Sequence, residues 1–164
     1  MKALAGFGAA GDGLLVSGGS MANLVGIVAA VTTAHPDVAQ RGVRSLPGDP
    51  VIYASTLVHM SIPKAAAIAG LGRGALRTLP VDTELRLDVR ALDRALDEDR
   101  RAGRLPVCVV VNVGDVNTGA IDPISFSPDG RLLVGSSADQ TATLWDLRSR
   151  NRLGSPFIEQ GVIP

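Results

Sequence analysis

The sequence predicts an α/β fold with a parallel sheet covered by helices over residues 1–124, followed by a small antiparallel β segment over 125–164. Three observations predict it. Apolar strand-like runs alternate with helical patterns through the first part, the order that a parallel sheet with crossover helices requires. An apolar strand, Gly13-Leu14-Leu15-Val16, is expected to pass through Ser17-Gly18-Gly19-Ser20 straight into a helical pattern. After Ile124 the signals change to short period-two strands and tight turns near 124–127, 131–136 and 141–146, with a weaker one near 152–158.

Each element has a local reason. Residues 20–34 are expected to form a helix, with Leu24, Val25 and Val28 at helical spacing, Ser20 as its cap and His35-Pro36 as its stop. A polar loop from Pro36 to Pro50 leads to the strand Val51–Ser55. A second helix starts near Ser61 with Pro63 in its first turn, where a missing N–H is harmless, and stops at Gly70-Leu71-Gly72. Ala75 to Val81 reads as a short strand. Asp88 caps a third helix that turns Val89, Leu92 and Leu96 to a core and Arg90, Asp93, Arg94, Asp97, Arg100 and Arg101 to water, and Gly103 stops it. The strand 107–113 follows, carrying Cys108 as a core thiol.

Composition bounds the function. The chain is 46% hydrophobic and 20% charged, as a globular protein is, with 16 basic and 16 acidic residues and no net charge. Only 3% of residues are aromatic, so neither the field nor the stacking platforms that nucleic acid needs are present. One cysteine excludes a disulfide framework and a cysteine metal site. No stretch approaches the roughly 20 apolar residues of a membrane span, and the Gly-broken start does not read as an export signal, so a cytoplasmic location is expected.

The Gly18-Gly19-Ser20 turn has two readings. It is a plain glycine turn with a serine cap, or an anion site in which close backbone approach, free N–H groups and the helix dipole meet a phosphate. The string Gly6-Phe7-Gly8-Ala9-Ala10-Gly11 fits the dinucleotide pattern, but it has no convincing strand before it, no helix after it and no acid about 20 positions on. It is read as a decoy.

Several motifs in one order carry a resemblance. Gly18-Gly19-Ser20 is followed by Val51-Ile52-Tyr53-Ala54-Ser55, then His59-Met60-Ser61-Ile62-Pro63-Lys64, Pro80-Val81-Asp82, the strand at Val107–Val111, and Asn117-Thr118-Gly119-Ala120-Ile121-Asp122-Pro123. Over residues 1–124 the chain resembles part of the pyridoxal-phosphate-dependent decarboxylases of group II, the glutamate and aromatic-amino-acid type. The resemblance implies a partial three-layer parallel sheet of the aspartate aminotransferase-like large domain, which has seven strands in the family. It implies pyridoxal 5'-phosphate as cofactor and an amino acid as substrate. Gly18, Gly19 and Ser20 match the stretch that cradles the phosphate, and His59 matches the histidine stacked on the cofactor ring. Without the resemblance, His59 reads sooner as a structural histidine near a helix start, and the flanking matches reverse that reading.

The family's Schiff-base lysine and its ring-nitrogen aspartate fall in segments that this sequence does not contain. Only Lys2 and Lys64 are present, and Lys64 matches a surface lysine of the family rather than the attachment point. The chain is therefore expected to be inactive alone. Asp122 reads as a turn residue before Pro123. Gly114-Asp115-Val116 stands where the family usually has Gly-Thr-Thr, and Asp115 would bring negative charge towards the cofactor.

Residues 125–158 resemble one WD40 repeat, through Ser127-Pro128-Asp129-Gly130, the strand after it, and Leu144-Trp145-Asp146. A single blade cannot bury its faces alone, so Phe126, Leu144 and Trp145 are expected to stay exposed, open to a protein partner or to self-association. The alternative reading of the whole chain is a WD40-type interaction module with a vestigial α/β segment.

Overall fold

The computed structural model describes residues 14–115, 117–126, 132–136, 141–146, 149, 151–153 and 157–158. The Gly6–Gly11 string lies outside them, as do the side chains of Phe126, Leu144 and Trp145.

The first part is an α/β sandwich of three layers. Three parallel strands, β1 (Pro50–Ser55), β2 (Leu76–Leu79) and β3 (Leu105–Val110), lie in the order β2-β1-β3. Alternation along β1 supplies both cores, because successive strand residues face opposite sides. Val51 and Tyr53 pack with Leu87, Val89, Leu92, Ala95 and Leu96 of α4 (Val89–Arg101) and its approach. Ile52 packs on the other side with Ile27 and Val31 of α1 (Gly19–Ala34) and with Ile62, Ala65 and Ala66 of α3 (Ser61–Ile68).

The α4 start behaves as its sequence predicts: Asp88 Oδ1 accepts from the N–H groups of Arg90 (2.8 Å) and Ala91 (3.0 Å). Gly103 follows with φ +72°, the left-handed conformation that ends helices cheaply in glycine. Gly70 ends the α3 segment in the same way, with φ +81°. The loop from 36 to 50 is more ordered than expected. It holds a one-turn helix α2 (Val38–Arg41) and a 3-10 turn at Val43–Ser45.

Two local expectations need correction. Residues 14–16 form no strand, and Leu14 and Leu15 are 65% and 78% exposed. No described strand lies beside them, and an unpaired extended segment has no ladder to hold it. In α1 the buried stripe is Ile27 and Val31, with Leu24 partly buried, while Val28 is exposed. The helix presents a face rotated from the predicted one because nearly all of it is apolar, so periodicity alone could not fix its orientation.

After the parallel sheet the chain turns antiparallel. β4 (Ile124–Phe126), β5 (Leu132–Ser136) and β6 (Thr141–Asp146) form a meander. β7 (Asn151–Arg152) and β8 (Phe157–Ile158) both pair with β6 on its other side, so the weak fourth strand is present in two pieces. Ile124 packs against the α4 side of the first core.

Candidate functional site

The parallel topology points β1 and β3 the same way, and the segment after β1 carries His59 into the start of α3. In open α/β sheets, ligands bind beyond the carboxyl ends of the strands. Here that end gathers Ser55 at the close of β1, His59, Ser61 and Asn112 just after β3. Asn112 Nδ2 lies 3.5 Å from Ser55 Oγ.

α1 joins this end through one side chain. Asn23 Nδ2 donates to Ser61 Oγ at 2.7 Å, and Ser61 Oγ lies 2.8 Å from His59 Nδ1. The Ser61 backbone N–H also donates to His59 Nδ1, at 3.1 Å. Asn23 is one turn into α1, so this relay ties the start of α1 to His59, and the imidazole itself remains exposed.

The glycine turn differs in detail from its prediction. Gly18, not Ser20, holds the cap position, with φ +144° and ψ 171°, and no side chain caps the helix. Ser20 is the second helical residue and is exposed. A glycine that reaches this φ without strain lets the helix begin before the serine. The first backbone bond of α1 is Ala22 N–H to Gly18 C=O, at 3.0 Å. The N–H groups of Gly19, Ser20 and Met21 therefore have no acceptor within the helix. A Cβ built on Gly18 or Gly19 would meet nothing within 4 Å, so the space before them is open. N–H groups without an intrahelical acceptor, two glycines with no described atom near their Cβ positions and a tethered imidazole are the kinds of group that suit a phosphate and a stacked ring.

The remaining predicted residues fall elsewhere. Lys64 is exposed on α3. Asp115 caps its own turn: its Oδ1 accepts from the N–H groups of Asn117 (3.0 Å) and Thr118 (2.9 Å) and from the Thr118 hydroxyl (3.0 Å). Val116 lies outside the described residues. Asp122 is more than a turn residue. It is only 6% exposed, and its two oxygens accept from the N–H groups of Leu87 (2.7 Å) and Asn112 (2.6 Å). It thereby fixes the chain just beyond β3, where Asn112 joins the site end. Cys108 is part-buried, and burial pushes its thiol up to about 11. Among the described residues, no group of three or more His, Cys, Asp or Glu side chains could hold a metal ion, and no helix is long and apolar enough to cross a membrane.

Ser61, Asn23 and Asn112 were not singled out by sequence. Ser61 had a signal, since it closes the Tyr-Ala-Ser-x-x-x-His-x-Ser match. Asn23 had only its place three residues after Ser20.

Residues 1–127 match the pyridoxal-dependent decarboxylase conserved domain. The chain belongs to the pyridoxal-dependent decarboxylase family. The aromatic-L-amino-acid decarboxylase of Bacillus atrophaeus is 34% identical over 129 residues, 79% of this chain and 25% of that protein. The cysteine sulfinic acid decarboxylase of Homo sapiens is 33% identical over 129 residues, 79% of this chain and 26% of that protein. Among solved structures, mouse CSAD in its apo form superposes with a TM-score of 0.66 at 34% identity, covering 70% of this chain and 24% of that one. Oryza sativa TDC with PLP and tryptamine gives 0.59 at 30% identity, covering 67% of this chain and 23% of that one. This decarboxylase-family chain thus spans about a quarter of the length of the relatives it matches. The parallel sheet and its helices are the part of the fold that they share.

Proposed function

We propose that this chain forms the phosphate-facing and ring-facing part of a pyridoxal-phosphate-dependent amino-acid decarboxylase site. The observation that carries the reading is the Asn23–Ser61–His59 relay, because it joins the start of α1 to the imidazole. In this reading the N–H groups of Gly19, Ser20 and Met21 bind the phosphate, aided by the positive end of the α1 dipole. His59 lies against one face of the ring and orients it by offset stacking. When bound, the cofactor supplies the sink for the electron pair left as the substrate carboxylate departs as CO2. The substrate is an amino acid, and the location is cytoplasmic.

Equilibrium dialysis of the full chain against pyridoxal phosphate tests this. His59→Ala and Gly18→Val should each weaken binding at least about tenfold, the loss of one contact of about 1.4 kcal/mol. Borohydride should fix no stoichiometric adduct at Lys64, and this chain alone should release no CO2 from glutamate or aromatic amino acids. Binding that is indifferent to both substitutions would overturn the assignment.

For the end of the chain we propose a separate unit, residues 125–164 beside 1–124, built as one WD40-type blade that meets a protein partner. The meander β4-β5-β6, with β7 and β8 completing a fourth strand in two pieces, supports it. Flanking coding sequence tests it: further Trp-Asp repeats are expected, and their absence would count against a propeller.

A further inference from the structure

We propose that Ser61 and Asn23 are positioning residues that lock the His59 imidazole in one orientation, with its ring proton on Nε2. The argument needs only one donor of fixed sense. The Ser61 backbone N–H lies 3.1 Å from His59 Nδ1 and can only donate, so Nδ1 carries a lone pair and no proton. Ser61 Oγ, 2.8 Å from the same nitrogen, must then turn its own proton towards it. That leaves the Oγ lone pairs as acceptors, and the group facing them at 2.7 Å is the Asn23 amide. The amide must present its NH2, since its carbonyl oxygen there would meet an oxygen with no proton to give. One backbone N–H thus sets the hydroxyl, the amide and the tautomer together.

The lock resists rotation as well as proton transfer. A flipped ring would set a C–H, and the Nδ1–H tautomer an N–H, against the Ser61 backbone N–H, which can only donate. Ser61 is 4% exposed, so water gives its groups little alternative. Ser61 holds the ring directly from two residues on, and Asn23 of α1, 38 residues away in sequence, fixes Ser61 of α3, so the packing of two helices backs the local contact. The inference deepens the reading of His59 as the ring-facing group and rests on it. A ring held this way would present a constant face and a donor, Nε2–H, at its exposed edge.

Nitrogen NMR on the uniformly labelled full chain, at about pH 8, tests it. The Ser61 amide nitrogen should couple through the hydrogen bond to His59 Nδ1, which should resonate as an unprotonated nitrogen. With only two histidines, His35 and His59, the signals are assigned by their loss in His59→Gln. In Ser61→Ala, and to a smaller degree in Asn23→Ala, the Nδ1 signal should move towards the tautomer average and ring mobility should rise. Ser61→Thr, which keeps the hydroxyl, should restore both. The amide spectrum of each variant reports that it is folded. Absence of the coupling in the unmodified chain, or unchanged ring signals in both alanine variants, would overturn the lock. Pyridoxal phosphate is then titrated in. An intact coupling with unmoved His59 signals would retire the ring-facing reading while leaving the lock in place.

Discussion

The Tyr53 hydroxyl donates a 2.7 Å hydrogen bond to Asp99 Oδ2, joining the central strand to α4 through a carboxylate that is only 3% exposed. Arg77 of β2 reaches the same oxygen at 2.9 Å, and Arg104 reaches Oδ1 at 3.1 Å. One acid therefore ties β1, β2, α4 and the entry to β3 together. Tyr53→Phe should destabilise the chain by about 1.5–3 kcal/mol, the range for a hydrogen bond to a charged group. Asp99→Ala should cost more, because it removes at once the acceptor that Tyr53, Arg77 and Arg104 share. Urea unfolding checks the order, and a Tyr53→Phe chain as weak as Asp99→Ala would refute it.

The same acid sets an acid limit. Burial alone would raise the Asp99 carboxyl, but the Tyr53 hydrogen bond and the Arg77 and Arg104 charges outweigh it and hold it below the usual carboxylate range. A carboxyl lowered by folding contributes stability above its unfolded pKa of about 4, and that contribution fades as pH falls towards the folded value. Urea midpoints should therefore drop below about pH 4, and Asp99→Asn should flatten part of that fall. An Asp99→Asn chain with an unchanged acid slope would contradict this.

Asp122 should be equally intolerant, for a different reason. Asp122→Asn keeps one acceptor but turns an NH2 towards the N–H of either Leu87 or Asn112. Asp122→Ala leaves both donors without their carboxylate oxygens. Each unsatisfied buried donor costs about 1–3 kcal/mol, so alanine should be the worse of the two by thermal or urea unfolding.

Cys108 should be a slow thiol. With its pKa pushed up to about 11 by burial, almost none of it is thiolate at neutral pH. Alkylation of the folded chain at about pH 8 should run at least about a hundredfold slower than that of free cysteine, and denaturant should abolish the difference. Rapid modification of the folded chain would show that β3 opens easily.

How much was legible depends on where a residue finds its partner. The cap and the apolar stripe of α4 could be read because both are local: Asp88 bonds two and three residues ahead. The strands β1 and β3 were legible from their apolar runs. Asp99 was hidden inside a charged helix that otherwise faces water, since its strand partner Tyr53 lies 46 residues away. Asp122 looked like a turn because Asp-Pro is a turn signal, while its partner Leu87 is 35 residues back. Leu14 and Leu15 misled in the opposite direction. An apolar run shows that a strand could form, but only a neighbour to pair with makes one.

The position of β1 has a consequence for how the chain is made. It is central, with Ile52 pairing with Leu76 of β2 on one side and with Cys108 of β3 on the other. Translation at about 5–20 residues per second delivers β3 only seconds after β1 has emerged. The β1–α3–β2 crossover can form early, but the second flank of β1 must wait for its partner. During that interval the nascent chain exposes its central strand on one side, which is when a ribosome-associated chaperone would matter most to its yield.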